Sequence, residues 1–221
     1  GRDKSGMGIG FLNAITVKTS ARVENEADGS QREVIVSPLT NYNVTVFDQR
    51  FNQNSSVTFI NTNVTRNGSY RDANVTGLLF DLNNKTNKYN LEGALKSSSI
   101  RDVENSNGVN ASLFLAEKSG NFRHSIGAEY ISKDFDNNDL GINFKTNYYS
   151  VSGNSNYRIL NPNKTFNAFR INLNSYFEFY TPTNQIQSSN FNVNMSATTK
   201  KNHYYGGGIN FNPFKNYDYY E

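Results

Sequence analysis

Residues 37–82 set the pattern for the whole chain. In residues 41–51, Tyr42, Val44 and Val46 share one face, while Asn43, Thr45, Phe47 and Gln49 share the other. A joint at residues 52–55 leads into residues 56–65, where Val57 and Phe59 alternate with polar neighbours. A polar loop at residues 66–72 leads into a third run, residues 73–82. A period of two sustained over about ten residues marks a β-strand. Strands in globular proteins usually run to about five or six residues, whereas a tilted strand crossing a bilayer needs roughly nine to eleven.

The same plan recurs on both sides. Residues 7–20 set Ile9, Phe11, Ile15 and Val17 against Gly10, Ala14, Thr16 and Lys18, and Asn13 breaks the apolar face, which suggests a bulge or a shallow position. Residues 21–38 are charged and irregular and read as a long loop with at most a short strand at Val34-Ile35-Val36. Further runs span residues 88–97, 108–117, 122–133, 148–159, 165–180, 188–200 and 204–212. The alternation predicts about eleven antiparallel strands in a meander. Phe169, Ile171, Leu173, Phe177, Phe191, Val193, Leu91, Leu95, Leu113 and Ile126 fall on one side of their strands. Asn172, Asn174, Asn192 and Asn194 fall on the other.

Composition narrows the fold class. At 36% hydrophobic and a mean hydropathy of −0.68, the chain is poorer in apolar residues than a domain with one packed core. Its 14% aromatic content in alternating patterns is not that of a disordered segment. Asn makes up roughly one residue in six, far above average usage. An all-β antiparallel transmembrane β-barrel reconciles these facts, because its outside is apolar and its interior polar. Several tyrosines near strand ends (Tyr148, Tyr149, Tyr157, Tyr180, Tyr204, Tyr205) suit an interfacial girdle.

With no Cys, disulfide scaffolds and thiolate metal sites are excluded. A net charge of +3 without a basic block argues against nucleic acid as a partner. No apolar run is long enough for a membrane-spanning helix, and the polar start Gly1-Arg2-Asp3-Lys4 is not a signal peptide.

The stretches SGMGIGFLNAITVKT, SPLTNYNVTVFDQRFNQNSSVTFINTNVTRNG, RDANVTGLLFDLNNKTNKY, EYISKDFDNNDLGI and NPFKNYDYYE resemble a Bacteroidota outer-membrane β-barrel family. The resemblance covers nearly the whole chain and is most specific over residues 37–81. Members of that family typically carry a periplasmic N-terminal module that looks like a family 9 carbohydrate-binding domain. The resemblance implies an outer-membrane location and supplies no catalytic residues. The chain lacks the N-terminal module and stops at Glu221 where members continue, so residues 1–221 are expected to be one incomplete barrel segment.

Motifs for chemistry are sparse. Residues 134–139, Asp-Phe-Asp-Asn-Asn-Asp, begin like a calcium loop, but Asp139 stands where Gly is needed and Lys145 where the bidentate Glu belongs. They read as a solvated acidic loop. His124 and His203 lack ligand spacing. Gly206-Gly207-Gly208 precedes no helix and suggests a close backbone approach or a bend rather than a phosphate loop. The N-x-S/T triplets follow from alternation itself. No cofactor and no metal are expected.

Seven charges share the polar parity: Glu92, Lys96, Arg123, Glu129, Arg158, Arg170 and Glu178. An Arg or Lys facing lipid near the midplane costs about 2–4 kcal/mol, so these are expected to line a lumen. There they either set ion selectivity or hold a plug, or else form a mutually paired network.

The sequence thus predicts a non-enzymatic outer-membrane barrel, porin-like, acting as a channel or membrane anchor. The alternative is a scaffold subunit of a multi-protein envelope complex. A secreted β-rich adhesin is disfavoured by strand length. Expected partners are outer-membrane lipid and other envelope subunits. On strand parity, the loops at residues 66–72, 98–107, 134–147 and 181–186 share the outer side, and the remaining turns share the periplasmic side. An odd meander leaves its first and last strands parallel, so residues 7–20 and 204–212 are expected to be edges that pair beyond these 221 residues. Residues 216–221 read as a turn entering a further strand.

Overall fold

The computed structural model describes residues 1–52, 54–159 and 161–217. Its strands are β1 (Met7–Thr16), β2 (Thr19–Glu24), β3 (Gln31–Ser37), β4 (Thr40–Phe51), β5 (Ser55–Arg66), β6 (Asp72–Asn83) and β7 (Tyr89–Arg101). They continue with β8 (Ser106–Glu117), β9 (Phe122–Ile131), β10 (Tyr148–Ile159), β11 (Phe166–Tyr180), β12 (Gln185–Thr199) and β13 (Tyr204–Phe211). Eleven strands form one antiparallel sheet in the order β1-β4-β5-β6-β7-β8-β9-β10-β11-β12-β13, and β2 and β3 form a separate hairpin. The chain is therefore all-β, as alternation requires.

The barrel expectation is corrected. β1 and β13 do not pair with each other, and the sheet ends at both. A transmembrane barrel, porin-like channel or barrel scaffold needs a closed circuit of strands. Open edges in hydrocarbon strand backbone donors and acceptors at several kcal/mol each. The openness of this sheet overturns the channel, anchor and scaffold readings and the outer-membrane placement. The labels "lipid" and "lumen" fall with them. Of the six closing residues read as a turn into a further strand, residues 218–221 lie outside the described residues.

Local differences have physical causes. Residues 21–38, expected to be mostly loop, contain the β2–β3 hairpin, with Val23 opposite Arg32 and Ala21 opposite Val34. Its charged alternation was masked by short strand length. No bulge occurs at Asn13: β1 pairs with β4 in unbroken register, and the Asn13 amide donates to Asn41 Oδ1 at 2.6 Å and to Asn43 Oδ1 at 2.7 Å. β7 runs on to Arg101, because Ser97–Ser99 pair with residues 74–76 of β6. The register breaks come instead in the β11–β12 pairing, between Phe166 and Ala168 and between Glu178 and Phe179.

Five turns place Asn at positive φ: Asn52, Asn87, Asn147, Asn184 and Asn202. Asn tolerates the left-handed region better than other residues with a Cβ, so part of the Asn excess is turn chemistry. The rest lies in amide ladders across strands.

Register assigns the faces. Leu78, Leu95, Ala111 and Tyr130 line up across β6–β9, and Tyr157, Ile171 and Met195 across β10–β12. This apolar face is exposed, with Phe11 at 71% and Ile209 at 68%. Burial concentrates on the opposite, polar face, where a small cluster of Val64, Ala73 and Ile100 packs with Tyr42. Ser98 is wholly buried there.

Candidate functional site

The polar face carries the chemistry, and all seven predicted charges lie on it. Cross-strand register aligns Ser112, Glu129, Ser150, Glu178 and Ser188 in one row over β8–β12. Glu129 accepts from Asn110 Nδ2 at 3.0 Å and from the Tyr148 hydroxyl at 3.4 Å. Glu178 is only 4% exposed and accepts from the Tyr176 hydroxyl at 2.6 Å and from Gln187 Nε2 at 2.8 Å. Lys145 Nζ completes its shell at 3.4 Å. Burial, and then the Glu178 carboxylate, push the Tyr176 phenol well above its ordinary range, so it stays a proton donor.

Residues 132–147, between β9 and β10, cross this face. Phe135 is buried over Gly108, and the Asp136 N–H donates to Ser98 Oγ at 3.0 Å. Arg71 donates to Asp136 at 2.8 Å and to Asp139 at 2.8 Å, and Arg66 donates to Asp139 at 2.6 Å. Burial alone would raise both carboxyls. The Asn138 N–H and Arg71 at Asp136, and Arg66 and Arg71 at Asp139, more than offset it and hold both below the usual value. The same pairing raises Arg71 against the opposing effect of its own burial.

The reading of a merely solvated acidic loop is thus corrected in part: Asp134 and Asn138 are exposed, but Asp136 and Asp139 latch the segment to two arginines as a strap. Sequence reading missed Arg66 and Arg71 as its partners. The one available signal was parity, which puts residues 66–72 and 134–147 at the same end of the sheet. Among the described residues, no group of three or more His, Asp and Glu is placed to hold a metal.

The remaining predicted residues separate from these. Glu92 pairs with Lys118 at 2.9 Å, with both side chains largely in solvent. Lys96 lies opposite Gly77 and Asn110. Arg123, Arg158 and Arg170 gather at the far end of β9, β10 and β11. Arg158 stands directly opposite Arg170, and Arg123 stands opposite Asn156. Arg123 Nε donates to Gly120 O at 3.1 Å and Arg170 Nε to Asn172 Oδ1 at 3.1 Å. Among the described residues, the seven make no ion pair with one another, so the paired network is not formed.

An amide ladder joins the two ends. Asn154 Nδ2 donates to Asn174 Oδ1 at 2.6 Å, Asn174 to Asn192 at 3.2 Å, and Asn156 to Asn154 at 3.2 Å. Gly208 has the expected close approach, since a Cβ there would run into Asn194 and the Val193 carbonyl.

A shallow cavity of about 440 Å³ opens over Gly153, bordered by Ile126, Val151, Leu173 and Phe177. It belongs to the exposed apolar face.

No curated protein and no solved structure matches the chain. The outer-membrane barrel family anticipated from the quoted stretches is set aside, because the sheet that those stretches build is open. A family match extends over residues 1–221, and the chain belongs to the family described as Domain of unknown function (DUF5916).

Proposed function

We propose that the chain is a β-sheet interaction module, not an enzyme, which holds further β-structure by strand addition at its free edges. The chemistry of the two edge strands carries this reading. β1 is Met-Gly-Ile-Gly-Phe-Leu-Asn-Ala-Ile-Thr and β13 is Tyr-Tyr-Gly-Gly-Gly-Ile-Asn-Phe; neither holds a charge or a Pro. Edges that stay unpaired are usually blunted by charge, Pro or a bulge, and an unguarded edge is a template for another strand.

The donors of β1 are set for pairing. Ile9 N–H bonds Gly1 O, away from β4, so the N–H groups of the same parity at Phe11, Asn13 and Ile15 point off the edge. An added strand would also continue the apolar face, which is exposed beside both edges at Phe11 and Ile209. Ten antiparallel pairings make β1 and β13 parallel. An antiparallel partner for β1 that keeps the apolar face on the same side is therefore a strand other than β13 of a second copy.

Hydrogen exchange on the native assembly tests this. Slow exchange at Phe11, Asn13 and Ile15 is expected, released at Asn13 and Ile15 by Phe11→Pro. That substitution removes an outward N–H without breaking the β1–β4 ladder. Exchange at the rate of an open edge in the native assembly would overturn the reading.

A further inference from the structure

We infer that Arg123, Arg158 and Arg170 form a binding site for a compact oxyanion, the phosphate or sulfate group of a ligand lying on the polar face. Three independent features converge on it. First, Arg158 and Arg170 face each other directly across β10 and β11. Directly opposed side chains have Cβ atoms about 4.5–5.5 Å apart, and like charges so placed repel. Arg123 lies on the diagonal, one strand over, since its partner Asn156 is two residues before Arg158.

Second, the guanidinium groups are under-used. Arg158 Nε is buried and without a hydrogen-bond partner among the described residues. None of the three has a carboxylate within ion-pair distance among those residues. A buried donor left without an acceptor is destabilising, and an oxyanion would supply the missing acceptor.

Third, the surroundings are cationic. Residues 119–128, 153–177 and 188–212 contain Arg123, Arg158, Lys164, Arg170, Lys200 and Lys201 and no Asp or Glu. The charged rows that hold the strap sit at the opposite end, around Glu178 and Asp139. Planar forks of Arg match phosphate and sulfate oxygens in pairs, which a single Lys does not.

The test is calorimetric titration of the intact chain with inorganic phosphate and inorganic sulfate, with sodium chloride at matched ionic strength as control. A hexose phosphate and a hexose sulfate then distinguish the two sources of the same anion. Saturable one-site binding is expected, weakened tenfold or more by Arg158→Gln and by Arg170→Gln, partly retained in Arg158→Lys, and unchanged in Arg22→Gln on the remote hairpin. Circular dichroism checks that each variant is folded. Binding that chloride reproduces, or that survives both Gln substitutions, would overturn the site.

Discussion

Gly108 lies beneath the backbone of Phe135 so closely that a Cβ on Gly108 would collide with Phe135 N and Cα and with the carbonyl carbon of Asp134. The strap over residues 132–147 can seat only because position 108 lacks a side chain. Overpacking of this kind typically costs about 1–3 kcal/mol, and here the colliding atoms are backbone, which cannot rotate away. Gly108→Ala should therefore unseat the strap while leaving the ladder intact. Limited proteolysis within residues 133–147 should accelerate, with the strand content by circular dichroism unchanged.

Asp139 anchors the same strap from its other side. Its side chain is 11% exposed and takes hydrogen bonds from both Arg66 and Arg71. Asp139→Asn removes the charge from both contacts, at roughly 1–3 kcal/mol. Denaturant unfolding monitored near Phe135 should shift to lower concentration. Asp134→Asn, at a carboxylate outside this latch, should leave it in place.

The latch also has a pH window. Asp136 and Asp139 are both held below the ordinary carboxylate value in the folded state, despite their burial. A lowered folded value means the stabilisation is complete above the unfolded value and is lost as pH falls through the folded one. Strap closure should be flat from about pH 5 to 8 and fail below about pH 4. Amide exchange at Asp136 against pH measures it, and a loss of protection between pH 5 and 7 would contradict the assignment.

Which parts of this were legible beforehand follows from what alternation encodes. A period of two fixes which residues share a face, so Phe169 and Ile171 separate from Asn172 and Asn174 without any coordinates. Parity says nothing about closure, because an open sheet and a barrel share the same alternation; the barrel was inferred from strand length and composition. It is equally silent about segments without a period. The pairing of Asp139 with Arg66 and Arg71 spans about seventy residues and depends on how residues 132–147 fold back. The row of Arg158 and Arg170 was readable as two charges of one parity, but their direct opposition required the register across the Asn163 turn.

Relieving that opposition should stabilise the unliganded chain. Arg170 is exposed and, among the described residues, its side chain bonds Asn172 Oδ1 through Nε. Arg170→Gln keeps a polar side chain but removes the charge and ends the repulsion with Arg158, so stability at low salt should rise by about 0.2–1 kcal/mol. The gain should shrink at high ionic strength as screening takes over. Thermal unfolding at two salt concentrations separates these terms.

The strand order carries a consequence for how the chain reaches this state. Every neighbouring pair in the large sheet except β1 with β4 is consecutive in sequence, and that exception only skips the β2–β3 hairpin. Loop-closure entropy is therefore small at each step, and each new strand can zip onto the one before it. Assembly can start at any hairpin and spread in both directions, as in repeat architectures. The two strands that finish last are then the ones with a free side, so the chain folds in a way that leaves its growing ends available until the last moment.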